Sequence, residues 1–191
     1  MHARVRARRI RGFHSPACAI VAVVAVFAGA AAPSLPARAD DDDVVRSAFL
    51  FNVAKYVEWP AASFASADAP LVIGVIEDAA LAEAFAVALS DKRIESRAIE
   101  VRTVASVDEA RGCHVVFGSR DQRTLARSIA HDLRGEPVLS IAEYDRFARV
   151  GGMIGIEIDR GKVSFEVSRS EADRSGLKVS SKLLRLASAV R

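Results

Sequence analysis

The chain has 191 residues, 51% of them hydrophobic, with 27 Lys+Arg against 24 Asp+Glu and a formal net charge of +3. Six of those basic residues and none of the acidic ones precede Asp40, so the remainder is slightly acidic, at −3, and its charge argues against nucleic-acid binding. Of the two cysteines only Cys113 lies beyond that first segment, which excludes an intramolecular disulfide framework.

Arg4, Arg6, Arg8, Arg9 and Arg11 form a basic start, residues 17–32 an apolar run of Ala, Val, Ile and Phe, and Ala37-Arg38-Ala39 a small-x-small site. This is the pattern of a secretory signal peptide over residues 1–39, cleaved after about Ala39. Cys18 sits inside the apolar run, where it cannot serve as a lipoprotein cleavage point. Residues 40–191 are then expected to be one exported domain, long enough to bury a substantial core.

After an acidic start at Asp40 to Asp43, residues 44–58 read as a helix that is apolar nearly all round and must be covered on two sides. Trp59-Pro60 is expected to end it, since a residue before proline is pushed out of the helical region. Phe51, Tyr56 and Trp59 are candidates for a partner or dimer surface, because aromatics concentrate at interface hot spots. Residues 71–76 are a continuous apolar run, the mark of a strand buried on both faces. Asp78 is placed to cap a helix carrying Leu81, Phe85 and Leu89. Residues 97–104 and 113–118 read as strands, and 138–141 as another. Four Ser-x-x-Glu/Gln patterns, at Ser106, Ser119, Ser140 and Ser168, each read as a capping box. Leu125, Ile129 and Leu133 mark a helix that Gly135 and Pro137 close. A last helix is expected over 181–190.

The most regular stretch is 150–168. Ile154, Ile156 and Ile158 alternate with smaller or polar residues, as do Val163, Phe165 and Val167 across the turn Asp159-Arg160-Gly161-Lys162. That is an antiparallel hairpin with one buried face. Gly151-Gly152 at its start requires a sharp turn or a close approach, and with Met153 it is a second candidate contact. Strands alternating with helices imply parallel pairing. The expected fold is an α/β, Rossmann-like three-layer domain with a mixed sheet of five or six strands ending in the hairpin.

The chemistry on offer is sparse. Glu77-Asp78 follows the first strand where a nucleotide site would need glycines and free amides, so no nucleotide cofactor is expected. Cys113 and His114 are neighbours on a strand and point to opposite faces, so they cannot form a nucleophile–base pair. No Cys/His spacing suggests a metal. Asp78, Ser119, Arg120 and Ser140 lie near strand carboxyl ends, where ligands of open α/β sheets bind, but each has a sufficient role as a cap or first-turn residue. No catalytic residues are expected.

Several pieces together resemble a known family. Residues 51–60 (FNVAKYVEWP), 113–117 (CHVVF), 137–141 (PVLSI), 151–154 (GGMI), 162–167 (KVSFEV) and 175–184 (SGLKVSSKLL) stand in the order of the corresponding motifs of the YfiR-like proteins. The resemblance implies a periplasmic, non-enzymatic signalling regulator that forms dimers. It further implies binding to the periplasmic sensor region of an inner-membrane diguanylate cyclase, repressing cyclic-di-GMP synthesis and biofilm formation, with an outer-membrane lipoprotein able to sequester it. The family's repressors are associated with disulfides, which a single Cys113 cannot provide. A different expectation is a small-molecule sensor coupled to another membrane receptor, such as a histidine kinase, with an apolar pocket beside the hairpin.

Overall fold

The computed structural model describes residues 41–191, so the leader expected over 1–39 lies outside the described residues. Helix α1 (Asp41–Ala54) is followed by strands β1 (Val57–Glu58) and β2 (Leu71–Ile76), helix α2 (Ala79–Leu89), strands β3 (Arg93–Ile94) and β4 (Arg97–Val104), and helix α3 (Val107–Arg111). Then come β5 (Val115–Gly118), α4 (Arg123–Asp132), β6 (Leu139–Ala142), β7 (Ile154–Asp159), β8 (Lys162–Val167), α5 (Arg169–Arg174), β9 (Lys178–Val179), α6 (Ser181–Leu186) and β10 (Ala189–Val190). Among the described residues no helix is long and apolar enough to cross a membrane.

Among the described residues eight strands form one mixed sheet in the order β10-β8-β7-β6-β5-β2-β4-β3, and β1 and β9 form a separate antiparallel pair. The class is the α/β one expected, with two or three strands more than the five or six foreseen, β3 and β10 being short edge strands. The parallel centre, β4-β2-β5-β6-β7, is made of the apolar runs identified in the sequence. Val115, Val116 and Phe117 are all buried, as a strand covered on both faces requires.

Two cores flank the sheet. Leu50 and Val53 of α1, and Leu81, Phe85 and Leu89 of α2, cover one face together with Ile73, Phe117, Ile156 and Phe165. On the other face Ala110 of α3 and Ala126, Ile129 and Ala130 of α4 pack on Ile76, Val104 and Val116. Phe85 and Phe117 meet edge to face at 5.3 Å between ring centres, and truncating either costs about 3–5 kcal/mol. The hairpin pairs Ile154 with Val167, Ile156 with Phe165 and Ile158 with Val163, so its expected inner face is core.

Four expectations need correction. The first helix ends at Ala54 and not near Glu58, because Val57-Glu58 pairs with Lys178-Val179, a partner remote in sequence. The last helix stops at Leu186, and Ala189-Val190 returns as a strand parallel to β8. Ser140 is a strand residue, not a cap: its Oγ accepts from the Met153 N–H at 3.1 Å. Ser119 precedes a single 3-10 turn at Arg120–Gln122 and caps nothing; α4 starts at Arg123. By contrast, Asp78 caps α2 by accepting from Leu81 N–H at 3.0 Å, and Ser106 and Ser168 accept from Glu109 and Glu171 N–H.

Candidate functional site

The end of α1 carries three of the sequence candidates. Phe51 is half-buried against the first core, with Lys55 Nζ 5.2 Å from its ring centre. Tyr56 lies in the turn before β1, and its carbonyl accepts from Ser180 N–H at 2.8 Å. Trp59 is also half-buried, and its indole N–H donates to the His114 carbonyl at 3.1 Å. Trp59 is thus a strut between the loop that follows it and β5.

That loop is pinned by a stack of three side chains at the amino end of β2 and β5. The Arg97 guanidinium lies 3.7 Å over the Phe64 ring, and Phe64 stacks on His114 with ring centres 4.3 Å apart. Arg97 also donates to the carbonyls of Ser66, at 3.0 Å, and Ala69, at 2.7 Å. His114 Nδ1 accepts from the Val72 N–H at 3.0 Å, which leaves the proton on Nε2 to be donated to the Ser63 carbonyl at 3.1 Å. The Val72 bond requires the neutral ring, whereas the Ser63 bond would survive protonation. Burial, with the Arg97 charge adding to it, lowers the pKa of His114 below its ordinary value, despite the Ser63 bond. Beside the stack is a cleft of about 220 Å³ walled by Trp59, Phe64, Leu71 and Ile94, with Glu58, Glu95 and Arg97 at its rim.

The glycine bend is a packing device. Gly151 adopts φ +105°, a conformation L residues avoid. A Cβ on Gly152 would stand 2.2 Å from the Phe147 ring, so no side chain fits there. Met153 is 5% exposed, and its carbonyl accepts from Ser168 N–H at 2.7 Å. Gly152 and Met153 therefore face inward, and of the three candidates Gly151 alone reaches partial exposure.

A second cluster stands at the opposite, carboxyl end of the sheet. Glu143, just past β6, is 3% exposed, and its carboxylate accepts from Arg46 Nε at 3.0 Å and Arg120 at 2.9 Å. Arg46 reaches across from α1 and also holds Asp43 at 2.7 Å. Adjoining them is an open cleft of about 420 Å³ between Arg120, Arg123, Tyr144, Asp145, Glu157 and Asp159. The Arg123 guanidinium lies 4.6 Å over the Tyr144 ring. Sequence reasoning named Arg120 here and missed Glu143 and Arg46. The available signal was a Ser-x-x-Glu pattern followed by no apolar helical run.

The expected strand over 113–118 starts only at Val115, so Cys113 and His114 precede β5, and their side chains have separate partners. Cys113 Sγ is 3.4 Å from two Arg102 nitrogens, and burial raises its pKa despite that neighbour. Its hydrogen-bond partners are Arg102 and the Glu109 carbonyl. Among the described residues no three His, Cys, Asp or Glu side chains converge as a metal site would require. What the arrangement offers is bracing and contact: aromatic and charged side chains at both ends of a rigid sheet.

Comparison with known proteins adds two findings. A family model described as YfiR/HmsC-like matches residues 43–188. Among solved structures, a conserved domain protein from Vibrio cholerae O1 biovar El Tor is similar over 78% of this chain, with a TM-score of 0.52 and 10% identity. The chain spans 60% of that protein's length, and at this identity the likeness concerns the fold alone. The ABC domain from Streptococcus pneumoniae, solved with L-Trp, aligns over 63% of this chain and 55% of its own at a TM-score of 0.46 and 11% identity, too distant to support an argument.

Proposed function

The chain belongs to the YfiR/HmsC-like family of periplasmic regulators in diguanylate cyclase signalling, and on that premise we propose how it acts. It is exported, loses residues 1–39, and binds the periplasmic sensor region of an inner-membrane diguanylate cyclase. Binding holds the cyclase inactive, which keeps cyclic-di-GMP and biofilm formation low. The regulator works as a homodimer and catalyses nothing itself. An outer-membrane lipoprotein that competes for it would release the cyclase.

The observation that carries this reading is the family match across 43–188, which takes in both candidate surfaces and the hairpin. The side chains support it by what they are used for. Glu143, His114 and Trp59 each fasten one segment to another, and Cys113 packs against Arg102. Deleting the gene should raise cyclic-di-GMP, and the protein should co-purify with the membrane cyclase from detergent extracts. An unchanged cyclic-di-GMP level in the deletion strain would count decisively against the repressor reading.

The 420 Å³ cleft keeps a second reading in view, a small-molecule sensor coupled to another membrane receptor such as a histidine kinase. It opens beside β7 of the hairpin, at the carboxyl ends where open α/β sheets bind ligands. Its walls are mainly charged rather than apolar, which fits a polar ligand better than the apolar one expected. Ligand-induced stabilisation in a thermal-shift screen, abolished by Arg123→Ala, would favour it.

A further inference from the structure

Strand β6 is shorter than the strand beside it. It pairs with β7 only at Ile141–Ile154 and Ala142–Gly155, whereas β7 runs on to Asp159. Among the described residues no strand lies on that side of Ile156 to Asp159. The chain leaving β6 crosses over Gly155, where a Cβ would stand 2.7 Å from the Tyr144 carbonyl. The result is a notch past the carboxyl end of β6, the cleft of about 420 Å³. The turn and helix that follow β5 form one side of it and β7 forms the other, because β6 lies between those two strands in the sheet.

Charge is sorted by side in this notch. Arg120 and Arg123 follow β5, while Glu157 and Asp159 belong to β7. The two sides do not neutralise each other across the gap. Arg120 is spent on the buried Glu143 at 2.9 Å, and Asp159 lies 3.9 Å from its own neighbour Arg160, with Lys162 opposite it in the hairpin. Among the described residues Arg123 and Glu157 are in no ion pair, and the residue opposite Glu157 in the hairpin is the uncharged Ser164. Both are therefore open charges of opposite sign lining one cleft. Arg123 is also held in place, with its guanidinium 4.6 Å over the Tyr144 ring, and Glu157 sits on a strand paired along its other edge. Such preorganisation reduces the ordering cost of binding.

We infer that the notch takes a small dipolar ligand, with an anionic group set against Arg123 and an amine set against Glu157. The volume of the cleft lies in the range of small-molecule sites. A ligand of one sign fits poorly. An anion would meet the carboxylates of Asp145, Glu157 and Asp159, and a cation would meet two arginines. A ligand carrying both signs meets an opposite charge at each end. A metal ion is a poor alternative, since among the described residues no three His, Cys, Asp or Glu side chains converge to hold one.

This inference rests on the sensor reading above and adds the charge pattern of the ligand. Its test is thermal unfolding of the purified protein with β-alanine, γ-aminobutyrate and ε-aminocaproate, which hold an amine and a carboxylate progressively further apart. Butyrate and butylamine at matched ionic strength are the singly charged controls. At about ten times its Kd the best-fitting dipolar probe should raise Tm by about 3–5 °C, and neither control should match it. Arg123→Glu alone and Glu157→Arg alone should each weaken that probe about tenfold or more, the worth of one hydrogen bond to a charged group. The double variant Arg123→Glu/Glu157→Arg offers the same two charges in reverse order, so binding should return to within about threefold of wild type. A merely structural role for either residue would not give that recovery. Equal stabilisation by butyrate or by butylamine, or full binding in both single variants, overturns the dipolar ligand and leaves a sensor for another charge type standing. Failure of all three dipolar probes also overturns it, and the broader thermal-shift screen then decides the sensor reading separately.

Discussion

The two ends of the central sheet solve one problem with opposite chemistry. At each, a buried polar side chain fastens a crossing segment to the strands. At the carboxyl end the fastener is Glu143, an anion shared by two arginines from different elements. At the amino end it is His114, a neutral ring that accepts one backbone bond and donates another beneath Phe64. The difference lies in what each tolerates. An ion pair buried on one side is strong only while both partners exist, since removing one strands a charge. The neutral ring carries no such liability, yet it fails when it gains a proton.

The largest expected effect is therefore at Glu143. Arg46 has only 16% of its side chain exposed, so Glu143→Ala leaves a mostly buried guanidinium with Asp43 as its remaining anion. The cost should be about 3–5 kcal/mol in urea unfolding. Glu143→Gln keeps the shape and one acceptor, and should cost less. If Glu143→Ala unfolds at the wild-type urea midpoint, the cluster is not a structural clamp and its arginines are free for a ligand in the adjoining cleft.

His114 should show a smaller effect and a distinctive pH dependence. Its folded pKa is lowered, so the unfolded chain takes up a proton first as pH falls. The stability it supports is fully present above the ordinary value of about 6.5. That stability declines below 6.5, at no more than about 1.4 kcal/mol per pH unit for one proton. His114→Asn should remove this part of the acid slope, at a cost of about 1–3 kcal/mol at neutral pH for the orphaned Val72 N–H and Ser63 carbonyl. An unaltered slope in that variant would mean that other groups carry the acid sensitivity and would erase the contrast between the two ends.

The same two ends differ in how far they could be read from the sequence. Period and composition located the central strands, the hairpin and its inner face, because burial on a strand is written into neighbouring residues. Asp78, Ser106 and Ser168 were legible as caps for the same reason: the groups they satisfy lie three residues away. What escaped was everything set by distant partners. Val57-Glu58 becomes a strand only because Lys178-Val179 is there to pair with it. Ser140-x-x-Glu143 has the letters of a capping box, but its two side chains serve Met153, Arg46 and Arg120. Cys113 and His114 were read as strand residues but precede β5, and their tasks, packing against Arg102 and bracing the loop under Phe64, depend on residues a strand or a loop away.

Trp59 sharpens the contrast further, because the residue expected to anchor a partner also serves as a strut. Its indole N–H bond to the His114 carbonyl places it within the amino-end network. Trp59→Phe keeps most of the ring and deletes that one bond. The expected loss is about 0.5–1.5 kcal/mol, the ordinary worth of a single hydrogen bond, with the circular dichroism unchanged. Trp59 and His114 grip the same loop, so their losses should couple. The double variant Trp59→Phe/His114→Asn should cost less than the two single losses together, since a loop already released by one has less to lose from the other. Strict additivity would mean that Trp59 and His114 act independently, and that the half-exposed indole is available to a partner after all. Measured by urea unfolding, the double-mutant cycle thus separates the strut from the anchor without requiring the partner to be in hand.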